Sequence, residues 1–179
     1  MGSHAAEAAE VMFRNALLEA GYPDQSPSTS KPRLLEVARS HRKGSMRLAE
    51  QEYQSKGRAI RWDVAPERFI LDRLFAIDSL ISPCGRWGKQ FAFDVTLNPK
   101  EVAEKANKHR HLINVWEQAE LGIEKSAIIL LVPNNSWGNE WGWGLLNASQ
   151  KEDFIEEVLQ VIYGMDERSA IVTTHIINF

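Results

Sequence analysis

Two aspartates stand in apolar surroundings near the middle of this 179-residue chain. Asp78 interrupts the run Phe-Ala-Ile-Asp-Ser-Leu-Ile, and Asp94 interrupts the run Phe-Ala-Phe-Asp-Val-Thr. If the two segments are paired strands, the carboxylates converge and repel each other by an amount that burial magnifies. A divalent metal compensates such repulsion, because Mg²⁺ binds one or two carboxylates and leaves positions for a phosphate. The pair therefore predicts a metal site suited to phosphoester hydrolysis.

The two aspartates also have a simpler interpretation, as strand-end acids that face solvent. Arg73 and Arg86 are the basic residues expected to pair with them in that case. Surface ion pairs of this kind contribute little to stability. The two interpretations differ in whether the carboxylates lie together, which depends on the elements that carry them.

Two predicted strands carry the aspartates. Residues 71–82 and 89–97 are rich in β-branched and aromatic side chains, and residues 83–88 between them contain two glycines and a proline. This composition is typical of two strands joined by a hairpin loop. In the second strand, alternate positions from 91 to 95 are Phe, Phe and Val, so they form one face and Asp94 lies on the other.

A predicted helix follows the second strand. Asn98 suits the N-cap, Pro99 the first helical position and Glu101 the capping-box position, so the helix is expected to begin there and to run to about residue 121. Residues 126–132 are a continuous apolar run. Such a run is typical of a strand that is buried on both faces at the centre of a sheet.

The alternation of helices and strands predicts an α/β fold with a mixed central β-sheet flanked by helices. Residues 5–20 form a predicted helix ended by Gly21, and residues 22–32 are a Pro/Ser-rich linker. The chain is therefore divided into an N-terminal helix and linker, residues 1–32, and a single α/β domain, residues 33–179. The other predicted elements are a strand at residues 59–64, a helix at residues 149–163 and a strand at residues 169–177.

A third acid, Glu50, lies on a predicted helix over residues 45–53 that Ser45 is suited to cap. Glu50 is four residues after Met46 and three before Tyr53, which places it at the edge of the inward-facing stripe. The alternative is an exposed glutamate paired with a nearby arginine.

The order of these features resembles the restriction-endonuclease-like PD-(D/E)XK nucleases. The shared pattern is an acid on a core helix, an aspartate in one strand, a hairpin, an acid followed two residues later by a polar residue, and then a helix. It covers about half of the chain, residues 45–132. The resemblance implies a restriction-endonuclease-like core with an N-terminal helical extension, and an activity on DNA that depends on Mg²⁺ or Mn²⁺.

In that family the two strand acids bind the metal, a helix glutamate can join them, and a lysine helps to position the attacking water. Carried onto this chain, the resemblance assigns Asp78 and Asp94 as the strand acids and Glu50 as the helix acid. These three side chains are the expected metal ligands. His109 and His111 are two residues apart and point to different faces of the predicted helix, so they do not form a metal pair.

Two positions depart from the family pattern. Ile77 stands where a proline usually precedes the first aspartate, and Thr96 stands where the lysine is usual. In some members the lysine has moved to the following helix, where Lys105 or Lys108 could reach back to the site. Lys105 is nearer the start of the helix and is the predicted catalytic lysine, with pairing to Glu101 four residues earlier as the alternative.

The basic residues are concentrated in one part of the chain. The net charge is −3, which argues against coating nucleic acid by bulk electrostatics. Residues 31–61, however, contain nine Lys/Arg and three acids and carry +6, whereas residues 117–167 contain ten acids and two lysines and carry −8. The basic segment predicts a phosphate-contacting surface, with an ordinary solvated helix face as the alternative.

Composition limits the setting of the protein. The single cysteine, Cys84, cannot form an internal disulfide and has no Cys or His at metal-ligand spacing. The apolar runs are shorter than the roughly 18 residues of a membrane span, so a soluble, cytoplasmic protein without a membrane partner is expected. Residues 137–144 contain three tryptophans among glycines, which suits either base stacking or packing at the sheet edge.

The leading hypothesis is therefore a metal-dependent endonuclease that hydrolyses DNA phosphodiester bonds at Asp78, Asp94, Glu50 and Lys105. A nuclease-fold DNA-binding or assembly subunit without catalysis is the alternative that Thr96 motivates. A third hypothesis is a protein-interaction module formed by the tryptophan-rich loop and the acidic C-terminal helix. A homodimer is compatible with the amino-acid sequence. The preferred nucleotide sequence and the choice between DNA and RNA stay open.

Overall fold

The structure is a computed structural model that describes residues 4–83, 89–134 and 141–179. Its elements alternate as an α/β protein. In chain order they are α1 (His4–Glu19), α2 (Lys31–His41), α3 (Lys43–Ser55), α4 (Glu67–Phe75), β1 (Ser79–Ile81), β2 (Gln90–Thr96), α5 (Val102–Gln118), β3 (Ile123–Val132), α6 (Ala148–Glu167) and β4 (Val172–Asn178). None of the helices within these ranges is both long enough and apolar enough to cross a bilayer.

A four-stranded mixed sheet in the order β1-β2-β3-β4 forms the centre of the fold. β1 is antiparallel to β2, whereas β2, β3 and β4 are parallel, so α5 and α6 serve as crossover helices. β3 is an interior strand with a run of fully buried residues, which confirms the prediction made from its apolar sequence. Helices lie on both faces, and the predicted mixed α/β class is confirmed.

The two faces of β2 pack against different helices, as its alternation predicts. Phe91, Phe93 and Val95 are buried in a cluster with α1 and α6. Ala92 belongs to a second cluster, built from α2, α3, α4 and α5. The face that carries Asp94 is thus the face covered by α5.

Helix α1 is part of the core, whereas the sequence predicts a helical extension outside the α/β domain. Met12, Phe13 and Leu17 are fully buried, and the ring centroid of Phe13 lies 5.2 Å from that of Phe93 on β2. The buried positions of α1 recur at helical spacing and form one apolar stripe. The Pro/Ser-rich linker after Gly21 suggested separation, but it allows the chain to turn and leave this stripe packed on the sheet.

Two predicted strands before Asp78 are wrong in whole or in part. Residues 59–61 have no regular secondary structure and residues 62–64 form a turn, whereas residues 71–82 are divided between the end of α4 and the short strand β1. The buried residues Ile70, Leu71, Leu74 and Phe75 satisfy a helical spacing, and a short apolar run does not by itself distinguish a helix from a strand. Asp78 therefore lies immediately before a strand rather than within a long one.

Two predicted helix starts differ in detail. At α5, the Asn98 side chain accepts a hydrogen bond from the Lys100 amide at 3.1 Å, but the first turn, Pro99–Glu101, is a 3₁₀ turn. Glu101 does not close a capping box, because its carboxylate accepts a hydrogen bond from the Thr96 hydroxyl at 2.8 Å. α3 begins at Lys43 without a side-chain cap, two residues before the predicted cap.

The described part of the tryptophan-rich loop packs on the protein. The ring of Trp141 lies 5.2 Å from that of Phe179, and the ring of Trp143 lies 6.2 Å from that of Phe154. Both indoles are half-buried against the α1–α6 cluster, which favours the packing interpretation over base stacking. Trp137 lies outside the described residues, as do Cys84 and Arg86 in the loop between β1 and β2.

Candidate active site

Asp78 and Asp94 lie opposite each other across the β1–β2 pair. The register joins Ser79 to Phe93, and one further step places Asp78 opposite Asp94 on the same face. The Asp78 amide donates to the Phe93 carbonyl at 2.8 Å, and Oδ2 of Asp78 accepts from the Val95 amide at 2.7 Å. Both aspartates are 4% exposed. Both carboxylates are therefore buried and interact electrostatically, and they do not face solvent as strand-end acids.

Lys105 lies against Asp94, with its Nζ 2.9 Å from Oδ1. The 3₁₀ turn after β2 starts α5 directly beside the strand, so a residue one turn into the helix lies back over the end of β2. Burial opposes the charge on both groups. The Asp94 carboxylate nevertheless raises the pKa of Lys105, and hydrogen bonding from His109 together with the charge of Lys105 lowers the pKa of Asp94. The alternative pairing of Lys105 with Glu101 is not the contact formed.

The pKa of Asp78 is shifted in the opposite direction to that of Asp94. Burial is the main cause that raises its pKa well above the ordinary aspartate value, followed by the negative charges of Asp94, Asp72 and Glu10. The site thus contains more negative charge than its lysine neutralises, and a bound cation would relieve the excess.

Glu10 is the helix acid of this cluster, and Glu50 is not. The Glu50 side chain is exposed and accepts a hydrogen bond from the Trp62 indole at 2.8 Å. Glu10 on α1 interacts electrostatically with Asp72, Asp94 and Lys105, and burial raises its pKa to about 7. Sequence reasoning missed it because α1 was treated as an extension. The available signal was a glutamate three residues before a core phenylalanine on a strongly patterned helix.

Asp94 and Lys105 line a cleft between α3, α4 and α5 with a volume of about 440 Å³. Its basic residues are Arg73, Lys105 and Lys108, and its remaining lining residues are Ser45, Leu48, Ala49, Glu52, Asp72, Ala76 and Asp94. Arg73 is paired with Glu52 at 2.7 Å. None of the nine basic residues between positions 31 and 61 lines this cleft. Residues of α3 within this segment form one wall of the cleft, but its basic side chains do not line the candidate site.

The donor set suits Mg²⁺ or Mn²⁺ held by two carboxylates. In the described ranges, no three His, Cys, Asp or Glu side chains are grouped so that they could hold a metal ion between them. Mg²⁺, however, is usually bound through one or two carboxylates, with waters and substrate phosphates completing its coordination. Asp94 provides an oxygen ligand of that kind at this cleft, whereas Asp78 lines a separate cavity with Asp24 and Arg68.

We expect Glu10→Gln to increase stability at pH 8 and to have little effect at pH 4. The pKa of Glu10 is about 7 in the folded protein, against about 4.3 in an unfolded chain. The favourable contribution of the protonated Glu10 side chain to the free energy of unfolding is present below the unfolded pKa. It is lost as the pH rises through the folded pKa. The gain at pH 8 should be about 1 kcal/mol, discounted for solvent screening of a half-buried group.

Urea denaturation at the two pH values measures this effect. Glu7→Gln, on an exposed position of the same helix, is the matched control and should show no pH-dependent difference. A Glu10→Gln protein that is less stable than the wild type at pH 8 would contradict the charge crowding inferred here.

The geometry thus brings together side chains from four elements: Glu10 from α1, Asp78 from the turn before β1, Asp94 from β2 and Lys105 from α5. His109, also on α5, lies 3.5 Å from Asp94, whereas His111 is exposed, as the predicted faces of the helix require. Comparison of the chain with protein-family models, with curated proteins and with solved structures gives no match.

Proposed function

We propose that this chain is a metal-dependent endonuclease that hydrolyses DNA phosphodiester bonds, with Mg²⁺ or Mn²⁺ held by Asp78 and Asp94. The observation that carries the proposal is the buried pair of facing carboxylates, one of them in contact with the ammonium group of Lys105. An excess of buried negative charge beside an open cleft is a poor arrangement for stability. It is a suitable arrangement for binding a divalent cation and a phosphate.

The arrangement of elements supports a restriction-endonuclease-like core. An aspartate at the start of β1, an antiparallel partner strand with the second aspartate, and a helix with the lysine follow one another in the order that the resemblance implies. Glu10 takes the part of the helix acid that the sequence assigned to Glu50. The helix that carries it precedes the range over which the sequence resembles the family.

The side chains have distinct roles in the proposed reaction. Asp78 and Asp94 would hold the cation, and a cation bound there would supply a water molecule of lowered pKa and positive charge for the phosphate. Lys105 neutralises Asp94 and stands at the cleft, where its ammonium group can donate to a phosphate oxygen. Arg73 and Lys108 line the same cleft and provide further positive charge for the DNA backbone.

The proposal is tested by incubating the purified protein with supercoiled, linear and branched DNA in the presence of Mg²⁺, Mn²⁺ or EDTA. We expect cleavage with either metal and none with EDTA. Calorimetric titration with Mn²⁺ gives a second readout that does not depend on finding the right DNA. Intact DNA in every condition, together with the absence of Mn²⁺ binding, would overturn the proposal.

A catalytically inactive DNA-binding or assembly subunit is the second candidate, and Thr96 favours it. The Thr96 hydroxyl donates to Glu101 and accepts from the Asn98 amide at 3.1 Å, so this position shapes the strand–helix turn and provides no ammonium group. This candidate predicts DNA affinity that is independent of metal and survives Asp78→Ala. The nuclease proposal predicts metal-dependent turnover that Asp78→Ala abolishes.

A further inference from the structure

His109 on α5 is a fully buried histidine that the proposed chemistry does not yet use. Its Nε2 lies 2.9 Å from the carbonyl oxygen of Ala76 and 3.5 Å from Oδ2 of Asp94. We propose that His109 is a positioning residue, which sets the spacing of Asp78 and Asp94 by holding both the turn before Asp78 and one oxygen of Asp94. The inference rests on the proposed function, because this spacing matters when the two carboxylates share a cation.

The turn that leads to Asp78 is held by side chains from distant elements. Ala76 follows α4 in the left-handed conformation, with φ of 56°, and the last carbonyl groups of a helix have no partners within it. Side-chain N–H groups satisfy three of these carbonyls: Arg42 Nε donates to Leu74 at 2.8 Å, Trp116 Nε1 to Phe75 at 2.9 Å and His109 Nε2 to Ala76. Of the three donors, His109 is the one that also lies beside a carboxylate of the site.

The ring of His109 carries its proton on Nε2. This nitrogen faces two acceptor oxygens, whereas Nδ1 is buried and has no hydrogen-bond partner within the described ranges. A proton on Nδ1 would leave a buried donor unpaired, which is costly. The edge-to-face contact with Trp116, at a centroid distance of 5.0 Å and an angle of 81°, restricts the orientation of the ring.

The two oxygens of Asp94 therefore contact side chains of one helix. Lys105 contacts Oδ1, and His109, four residues later, faces Oδ2. The same Nε2–H of His109 also donates to the Ala76 carbonyl. A shift of His109 would therefore move the turn before Asp78 and at the same time remove a contact of Asp94. Residues that orient metal ligands without touching the metal typically change affinity or activity by about 10- to 100-fold.

We expect His109→Leu to lower both the Mn²⁺ affinity and the kcat of Mg²⁺-dependent DNA cleavage by about 10- to 100-fold. The KM for DNA should change little, because His109 is fully buried and is not among the residues that line the cleft. His109→Gln, whose amide provides an N–H donor at a similar distance from the backbone, should recover part of the loss. Without metal or DNA, His109→Leu should also exchange amide hydrogens faster at residues 76–80.

Two control variants on α5 separate positioning from general destabilisation. His111→Leu replaces an exposed histidine and should leave kcat, Mn²⁺ affinity and amide exchange unchanged. Leu112→Val removes buried volume beside His109 and should lower the melting temperature while the folded protein keeps its kcat.

Wild-type kcat and Mn²⁺ affinity in His109→Leu, or unchanged exchange at residues 76–80, would overturn the positioning role. A different result would show that the proposed function itself is wrong: the wild-type protein would neither bind Mn²⁺ nor cleave DNA. In that case the amide exchange of His109→Leu still decides whether His109 holds the turn.

Discussion

Asp94→Asn is expected to reduce metal-dependent DNA cleavage by roughly 10²- to 10³-fold, the loss typical of removing one group that stabilises developing charge. The substitution keeps the size of the side chain but removes a cation ligand and the anionic partner of Lys105. Because the Lys105 side chain is only 27% exposed, its unpaired ammonium group should also destabilise the protein by about 1–3 kcal/mol. Initial cleavage rates and urea denaturation measure the two effects.

A double variant separates these effects. Asp94→Asn combined with Lys105→Met removes both charges, so it should recover much of the stability while remaining inactive. Asp63→Asn, at an aspartate whose side chain is 70% exposed, is the control that should retain both activity and stability. Wild-type cleavage by Asp94→Asn would exclude Asp94 from the reaction.

Asp78→Asn is expected to inactivate the protein and to stabilise it above neutral pH. Folding raises the pKa of Asp78, chiefly through burial and then through the charge of Asp94. The favourable contribution of Asp78 is therefore present below its unfolded pKa of about 3.9 and is lost as the pH rises through the raised folded value. Asparagine removes the charge and keeps an acceptor for the Val95 amide, so the free energy of unfolding should increase by about 1–3 kcal/mol at pH 8.

The pH dependence distinguishes this explanation from a change in packing. The stability difference between Asp78→Asn and the wild type should shrink when urea denaturation is repeated at pH 4, because the raised pKa of Asp78 favours its neutral form in the folded protein as the pH falls. A gain that is equal at both pH values would point to packing, and a loss at pH 8 would contradict the charge crowding at Asp78. Cleavage activity should be lost at either pH.

Short-range patterns in the sequence were sufficient for much of the framework. The alternation around Asp94 predicted which face of β2 it occupies, and the apolar run of β3 predicted an interior strand. Lys105 lies near Asp94 because the strand and the helix are joined by a short turn that Asn98 and Pro99 begin. In each case the residues that determine the geometry are neighbours in sequence, so periodicity and turn chemistry carry the information.

The acid on the helix was not predictable in the same way. Glu50 and Glu10 each stand beside an apolar stripe on a helix, and nothing local shows which stripe faces the aspartates. The strand predicted at residues 71–75 was wrong for a related reason, because a short apolar run fits a helix packed in a core as well as a strand. Which glutamate faces the aspartates, and whether a short apolar run is a helix or a strand, depended on packing against elements far away in sequence.

The sequence by itself determined the α/β class, the face of β2 that carries Asp94 and the position of α5 close to the end of that strand. Only the tertiary structure decided that Asp78 lies in the turn before β1, that α1 belongs to the core and that Glu10 lies near the site. It also decided that His109 contacts the turn before Asp78 and that the basic side chains of residues 31–61 do not line the cleft. The physical reason is that local periodicity assigns a face to each element, whereas contacts between distant elements depend on how those faces pack together.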